Sequence, residues 1–182
     1  MQDPEGRLTV EEIVVSSAIV VMGVSGAGKS TVGRALSVRL GFEFIEGDQL
    51  HSPHNIERMA SGHALSDAER MPWLRLVGAA MAQGRTDHRG VVAACSALKL
   101  SSRDVIRHLV PDAFFVALEA PIATIEARVL ARRTSLLPPA LIPSQFAALE
   151  PLEPDERGVR LDATLSVELT VAAVVRALRA QR

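Results

Sequence analysis

Short apolar runs alternate along the chain with segments in which apolar residues recur at helical spacing. Residues 18–22 form an apolar, β-branched run that ends at Gly23, which is typical of a buried parallel strand. Val32, Leu36 and Leu40 then recur every four residues, and this spacing predicts a helix over residues 30–40. The chain therefore opens with a strand, a glycine-rich loop and a helix.

The same alternation continues to the end of the chain. Further strands are predicted at residues 42–45, 91–94, 114–118 and 159–161, and further helices at residues 104–109, 122–133, 144–149 and 167–179. Residues 48–90 are predicted to form a helical insertion, with one helix ending near residue 60 and another over about residues 67–83. This order predicts an α/β fold with three layers, a parallel sheet covered by helices on both faces. Residues 1–17 are predicted to be a flexible leader and residues 18–182 a single domain.

Composition narrows the class of function. The chain has 182 residues, of which 48% are hydrophobic, and a formal net charge of −1. That is enough apolar material for one core, and the charge argues against nucleic acid as a partner. Residues 13–24 are interrupted by Ser16 and Ser17 and are shorter than the about 20 residues that span a bilayer, so no membrane partner is expected. The acidic N-terminus lacks the positive flank of a secretory signal and Cys95 is the single cysteine, so we expect a cytoplasmic protein.

The glycine-rich loop matches the P-loop pattern G-x-x-x-x-G-K-[ST] in full, between a predicted strand and a predicted helix. Its glycines let successive backbone N–H groups point at one anion, and the helix N-terminus adds the positive end of its dipole. Lys29 is predicted to bridge the β- and γ-phosphates of ATP, and Ser30 to bind Mg2+; the alternative is a glycine-rich turn that binds nothing. The residues predicted to bind the nucleotide are Gly23, Ser25, Gly26, Ala27, Gly28, Lys29, Ser30 and Thr31.

The rest of the chain favours a small metabolite as the phosphoryl acceptor. It has no N-K-x-D motif for reading guanine, and the third strand ends in Cys95-Ser96 instead of an acidic residue. Asp48 follows the second strand, where its carboxylate can accept the proton of a substrate hydroxyl or hold a magnesium-bound water. A helix N-cap is the alternative role for Asp48. Lys29 and Lys99 are the two lysines among 20 basic residues, which marks both as candidates for contact with a phosphate or carboxylate oxygen.

Several short segments, in order, carry a resemblance to a known family. They are residues 22–30 (MGVSGAGKS), 46–51 (EGDQLH), 55–62 (NIERMASG), 72–74 (PWL), 95–99 (CSALK), 103–104 (RD), 144–146 (SQF) and 149–150 (LE). On these segments the chain resembles the gluconokinase family over nearly everything from residue 19 onward. The resemblance implies a fold similar to shikimate and adenylate kinases, with a five-stranded parallel sheet and a mobile lid at about residues 132–146. It also implies ATP-dependent, Mg2+-dependent conversion of D-gluconate to 6-phospho-D-gluconate, and assembly as a homodimer.

The resemblance further implies roles for residues outside the P-loop. Gluconate carries one carboxylate and several hydroxyls, which suit guanidinium groups and neutral polar groups. The residues implied to bind it are Asp48, His51, Arg58, Arg70, Lys99, Arg103 and Gln145, and those implied to hold Mg2+ are Ser30 and Asp48. Surface ion pairing is the alternative for the arginines, and a structural role is the alternative for His51.

The predicted lid is the segment in which the resemblance is weakest. Arg128 and Arg132 are implied to clamp ATP, and Arg132 joins Lys29 and Asp48 as a catalytic residue because its charge would stabilise the transition state. A solvated helix face is the alternative. Where the family usually has His-Phe, this chain has Ser135-Leu136. Another small sugar acid, a shikimate-like acceptor and a catalytically idle regulatory protein that binds ATP therefore stay open as alternatives.

Overall fold

The structure, a computed structural model, describes residues 17–87, 90–131 and 138–181. Within these ranges five strands form one parallel sheet in the order β2-β3-β1-β4-β5. The strands are β1 (Ser17–Met22), β2 (Glu43–Glu46), β3 (Gly90–Ala94), β4 (Phe114–Glu119) and β5 (Gly158–Asp162). The helices are α1 (Lys29–Leu40), α2 (Pro53–Ala60), α3 (Asp67–Asp87), α4 (Leu100–Leu109), α5 (Ile122–Ala131), α6 (Ile142–Ala147) and α7 (Val167–Ala180). The predicted α/β class and the five-stranded parallel sheet are confirmed.

The two faces of the sheet carry separate apolar cores, which explains the continuous apolar pattern of its central strand. On β1, Ile19 and Val21 point to a core shared with α1, α5 and α7. Ala18, Val20 and Met22 alternate with them and join a second core with α3 and α4. Because a parallel strand is covered on both faces, successive residues are all buried. Because this buried central strand ends at Met22, the loop that follows begins at the carboxyl edge of the sheet.

The start of α4 differs from its predicted position. The spacing predicts a helix from residue 104, whereas α4 begins at Leu100. Ser101 and Ser102 are weak helix formers, but the backbone N–H of Leu100 donates to a carboxylate oxygen of Glu150 at 2.5 Å. A partner 50 residues away in the chain therefore stabilises the first turn.

Other boundaries also differ from the sequence-based expectation, and α3 continues to Asp87 where an end near residue 83 was expected. β1 begins at Ser17, inside the predicted leader, and α6 covers Ile142–Ala147 where residues 144–149 were expected. Residues 1–16, and residues 132–137 of the predicted lid, lie outside the described residues. Of the described helices, none combines the length and apolar character needed to cross a membrane.

Candidate active site

The P-loop joins β1 to α1 at the carboxyl edge of the sheet. Gly23, Gly26 and Gly28 have φ angles of 139°, 88° and 97°, which side chains with a Cβ rarely adopt. A Cβ on Gly23 would lie 2.7 Å from the carbonyl oxygen of Leu118, and one on Gly26 would lie 2.8 Å from Cγ2 of Val129. The loop is therefore held tightly against β4 and α5. Its curled backbone at the start of α1 fits the phosphates of a nucleotide.

Lys29 and Ser30 begin α1 directly after this loop. The Lys29 ammonium group donates to the carbonyl oxygen of Val24 at 3.1 Å, so the side chain folds back over the loop. On the other side of the loop, the backbone N–H of Ser25 donates to Oε1 of Gln145 at 2.7 Å. Gln145 on α6 thus reaches the P-loop itself, a contact that its position 120 residues away gave no means to predict.

A cavity opens beside the P-loop at the carboxyl edge of the sheet. Five of the seven residues implied to bind substrate line it, together with Lys29. The lining residues with polar, charged or indole side chains include Ser25, Lys29, Asp48, His51, Arg70, Trp73, Ser96, Lys99, Ser144 and Gln145. One carboxylate and three cations therefore share one cavity with the P-loop.

Asp48 lies in a 3-10 turn, Gly47–Leu50, that follows β2. Trp73 of α3 holds this turn in place, because its indole N–H donates to the carbonyl oxygen of Gly47 at 2.7 Å. The N-cap of α2 is Ser52, whose hydroxyl accepts from the backbone N–H of Asn55, so Asp48 is not the cap. The carboxylate of Asp48 instead lines the cavity.

His51 packs flat against Trp73, with ring centroids 4.1 Å apart and an interplanar angle of 14°. Burial lowers the pKa of His51, and the positive charge of Arg70 lowers it further, although the charge of Asp48 opposes both. The ring is therefore neutral at pH 7. Its Nδ1 is buried without a hydrogen-bond partner among the described residues, which leaves one polar atom to meet a bound molecule.

Arg70 reaches the cavity from α3, and Lys99 reaches it from the loop between β3 and α4. The Lys99 ammonium group lies 2.7 Å from Oδ2 of Asp67, and Arg70 lies 3.6 Å from Oδ1 of the same carboxylate. Close to Lys99, Ala97 has a φ of 37°, a strained backbone for a residue with a Cβ. The loop after β3 is thus shaped to present Lys99 to the cavity.

Arg103 contradicts the role that the resemblance implied for it. Its side chain is fully buried (0% exposed), and its guanidinium group donates to both carboxylate oxygens of Glu156 at 2.7 Å. The remaining N–H groups donate to the carbonyl oxygens of Leu98, Glu150 and Pro151. The guanidinium group is committed to the protein interior, so Arg103 supports the loop that carries Lys99 instead of touching the substrate.

Arg58 is also placed away from the cavity. Its Nε lies 3.1 Å from Oε1 of Glu69, so it forms an ion pair between α2 and α3. Arg128 donates to the carbonyl oxygen of Ala163 at 2.9 Å and links α5 to the loop after β5, and its predicted contact with ATP stays a prediction. Arg132, the remaining lid residue of the predicted site, lies outside the described residues.

Two residues of the site carried no assigned role from the sequence. Trp73 is the single tryptophan of the chain, and its rarity is the signal that could have drawn attention to it. Asp67 begins α3, and no sequence pattern connects it to Lys99, which lies 32 residues further on. Cys95 lies under the site at the end of β3, and burial raises the pKa of its thiol to about 12, so the thiol stays protonated.

A complete P-loop beside a cavity with a carboxylate and several cations, on a five-stranded parallel sheet, defines the P-loop kinases of small metabolites. The family model described as an AAA domain matches residues 19–152. A gluconokinase from Gluconobacter oxydans is 37% identical over 163 residues, which cover 90% of this chain and 92% of that protein. The thermosensitive gluconokinase of Escherichia coli is 39% identical, with 82% of this chain and 80% of that protein covered. The chain belongs to the gluconokinase family.

Solved structures agree with this assignment. A sugar kinase from Janibacter sp. superposes with a TM-score of 0.85 at 39% identity, covering 90% of this chain and 95% of that one. A gluconokinase from Sinorhizobium meliloti superposes with a TM-score of 0.81 at 37% identity, covering 92% and 94%. Shikimate kinase from Aquifex aeolicus, at 17% identity and a TM-score of 0.62, shares the fold.

Proposed function

We propose that the chain transfers the γ-phosphoryl group of ATP to the primary hydroxyl of D-gluconate and forms 6-phospho-D-gluconate. The observation that carries the proposal is the single cavity that brings Asp48 and Lys29 together with Lys99 and Arg70. Asp48 and Lys29 suit the reacting end of the acceptor, and the other two cations suit a carboxylate at its far end. The gluconokinases among the relatives of this chain support gluconate as that acceptor.

In this proposal Asp48 accepts the proton of the attacking hydroxyl while that oxygen bonds to phosphorus and the bond to the β-phosphate oxygen breaks. Lys29 lies at the start of α1, where it neutralises charge on the transferred group as ADP departs. Arg128 and Arg132 are proposed to add positive charge from the lid side. His51 is neutral and contributes hydrogen bonds to acceptor hydroxyls without adding charge.

The residues present fit Mg2+ held as P-loop kinases hold it. Ser30 lies in the first turn of α1 directly after the P-loop and Asp48 lines the adjacent cavity, so a hydroxyl and a carboxylate are available, and Mg2+ usually needs one or two protein ligands plus substrate phosphates. Ser30 is proposed to bind it directly, and Asp48 to hold one of its bound waters. When bound, Mg2+ supplies neutralisation of charge on the β- and γ-phosphates.

We propose that the reaction takes place in the cytoplasm, where ATP is available and where a lone cysteine such as Cys95 stays reduced. A homodimer remains a prediction that the family resemblance suggests.

Asp48→Asn tests the assignment of the base. We expect kcat with D-gluconate to fall by about 10²–10⁴-fold while the affinity for ATP stays close to wild type, since a general base contributes that much to rate and little to nucleotide binding. Asp104→Asn is the control, because Asp104 forms an exposed ion pair with Arg107 on α4 and does not line the cavity. Loss of ATP binding together with turnover would show that Asp48 acts through the nucleotide and its metal instead.

A further inference from the structure

The cations that line the cavity are not equivalent. Lys29 belongs to the P-loop and donates to a carbonyl oxygen of that loop. Lys99 and Arg70 come from separate elements outside the P-loop, yet both contact the carboxylate of Asp67. Two of the three cavity cations are therefore shared by one internal anion.

Asp67 is arranged as a bound carboxylate would be. Its Oδ2 accepts from the Lys99 ammonium group at 2.7 Å, and its Oδ1 lies 3.6 Å from the Arg70 guanidinium group. The hydrogen bond from Lys99 and the positive charges of Lys99 and Arg70 lower the pKa of Asp67, so the carboxylate is ionised throughout the neutral range. A sugar acid presents the same chemical group to the same two cations.

The exposure of this ion pair distinguishes it from a structural one. The Asp67 side chain is 51% exposed and that of Lys99 is 29% exposed, whereas the Arg103–Glu156 pair in the same part of the fold is 0% and 1% exposed. Exposed ion pairs are weak because water competes for both partners, and buried pairs are costly to break. The contact between Asp67 and Lys99 can therefore be exchanged at little cost, but the Arg103 pair cannot.

We propose that Asp67 is a displaceable internal ligand of the acceptor site, which holds Lys99 and Arg70 until the carboxylate of a sugar acid takes its place. This inference rests on the proposed function, because it assigns the far end of the acceptor to these two cations. It makes Asp67 a specificity residue. An uncharged polyol has no carboxylate that could replace Asp67 on Lys99. We therefore expect it to bind weakly, because Lys99 and Arg70 stay paired with Asp67.

Asp67→Asn separates displacement from simple orientation of the cations. If Asp67 competes with the acceptor, its removal lowers the KM for D-gluconate by about two- to fivefold, the factor that corresponds to a partly exposed ion pair, with kcat and the KM for ATP unchanged. If Asp67 instead orients Lys99 and Arg70 for binding, the KM rises. Asp67→Glu keeps the negative charge and is expected to keep a KM close to wild type.

The control variant is Asp104→Asn, which removes the same charge from an exposed ion pair with Arg107 on α4, whereas Asp67 pairs with Lys99 and Arg70. Its KM for D-gluconate should match that of the wild type. An equal fall in KM in both variants would mean that net charge alone is responsible, and that outcome overturns the proposal. A fall in the KM for ATP instead of D-gluconate would place the transferred phosphate on Lys99 and also overturns it.

A binding measurement without turnover keeps this inference separate from the proposed function. The increase in Tm caused by D-gluconate should be larger in Asp67→Asn than in wild type, and D-glucitol, which has no carboxylate, should show no such difference. Absence of gluconate turnover in the wild type alongside that pattern would reject the proposed reaction and keep the carboxylate exchange. Equal shifts in both proteins with D-gluconate would overturn the inference.

Discussion

Replacing Arg103 with methionine is expected to destabilise the fold strongly, because the side chain supports the site from inside the protein. The guanidinium group donates to Glu156 through two 2.7 Å hydrogen bonds and to the carbonyl oxygens of Leu98, Glu150 and Pro151. Removing one partner of a buried ion pair costs about 3–5 kcal/mol. Since Arg107 still donates to Glu156 in the variant, we expect a loss near the lower limit, about 3 kcal/mol.

That loss corresponds to a decrease in Tm of about 6–12 °C, at about 2–4 °C per kcal/mol for a chain of this size. Urea unfolding followed by the fluorescence of Trp73 measures the free energy directly. Arg160→Met is the matched control, because Arg160 makes a similar two-bond pair with Glu119 at the surface, where its side chain is 55% exposed. The control should lose less than about 1 kcal/mol.

An unchanged free energy of unfolding in Arg103→Met, combined with a higher KM for the acceptor, would refute this reasoning. It would restore Arg103 as a substrate ligand. A large loss of stability in both Arg103→Met and Arg160→Met would instead show that burial does not decide the strength of these pairs.

Three further predictions concern the turn and strand beneath the cavity. Burial lowers the pKa of His51 in the folded state, so its contribution to the free energy of unfolding is fully present above the ordinary histidine pKa of about 6.5 and is lost as the pH falls below it. The free energy of unfolding, measured with urea between about pH 5 and about pH 8, should therefore depend less on pH in His51→Gln than in the wild type. Trp73→Phe removes the donor to Gly47 and should cost about 1–3 kcal/mol of unfolding free energy and reduce kcat more than the KM for ATP. Cys95, with a pKa of about 12 and no exposed surface, should react with a maleimide only after denaturation in urea, and rapid labelling of the native protein would contradict its burial.

Local sequence patterns were sufficient for the parts of the fold that depend on local physics. The apolar run of β1, the glycine loop and the spacing of Val32, Leu36 and Leu40 predicted the strand, loop and helix that the structure contains. A strand buried on both faces shows as a continuous apolar run, and a helix shows as apolar residues four positions apart, so both can be recognised within one segment of the sequence.

The parts that could not be predicted depend on partners far apart in the chain. Arg103 and Glu156 are 53 residues apart, and Lys99 and Asp67 are 32 residues apart. An arginine buried against a carboxylate and one free to bind a substrate have the same appearance in a sequence. The two cases can be distinguished only from the packing of α4 against the loop before β5. In the structure this packing buries Arg103 against Glu156, outside the predicted site.

The most direct test of the central claim is ATP turnover with Mg2+ across D-gluconate, other aldonates, shikimate and nucleoside monophosphates, with the product identified by phosphorus NMR. We expect a clear preference for D-gluconate and phosphorylation at its primary hydroxyl. ATP binding without turnover of any acceptor, or a preference for shikimate, would contradict it.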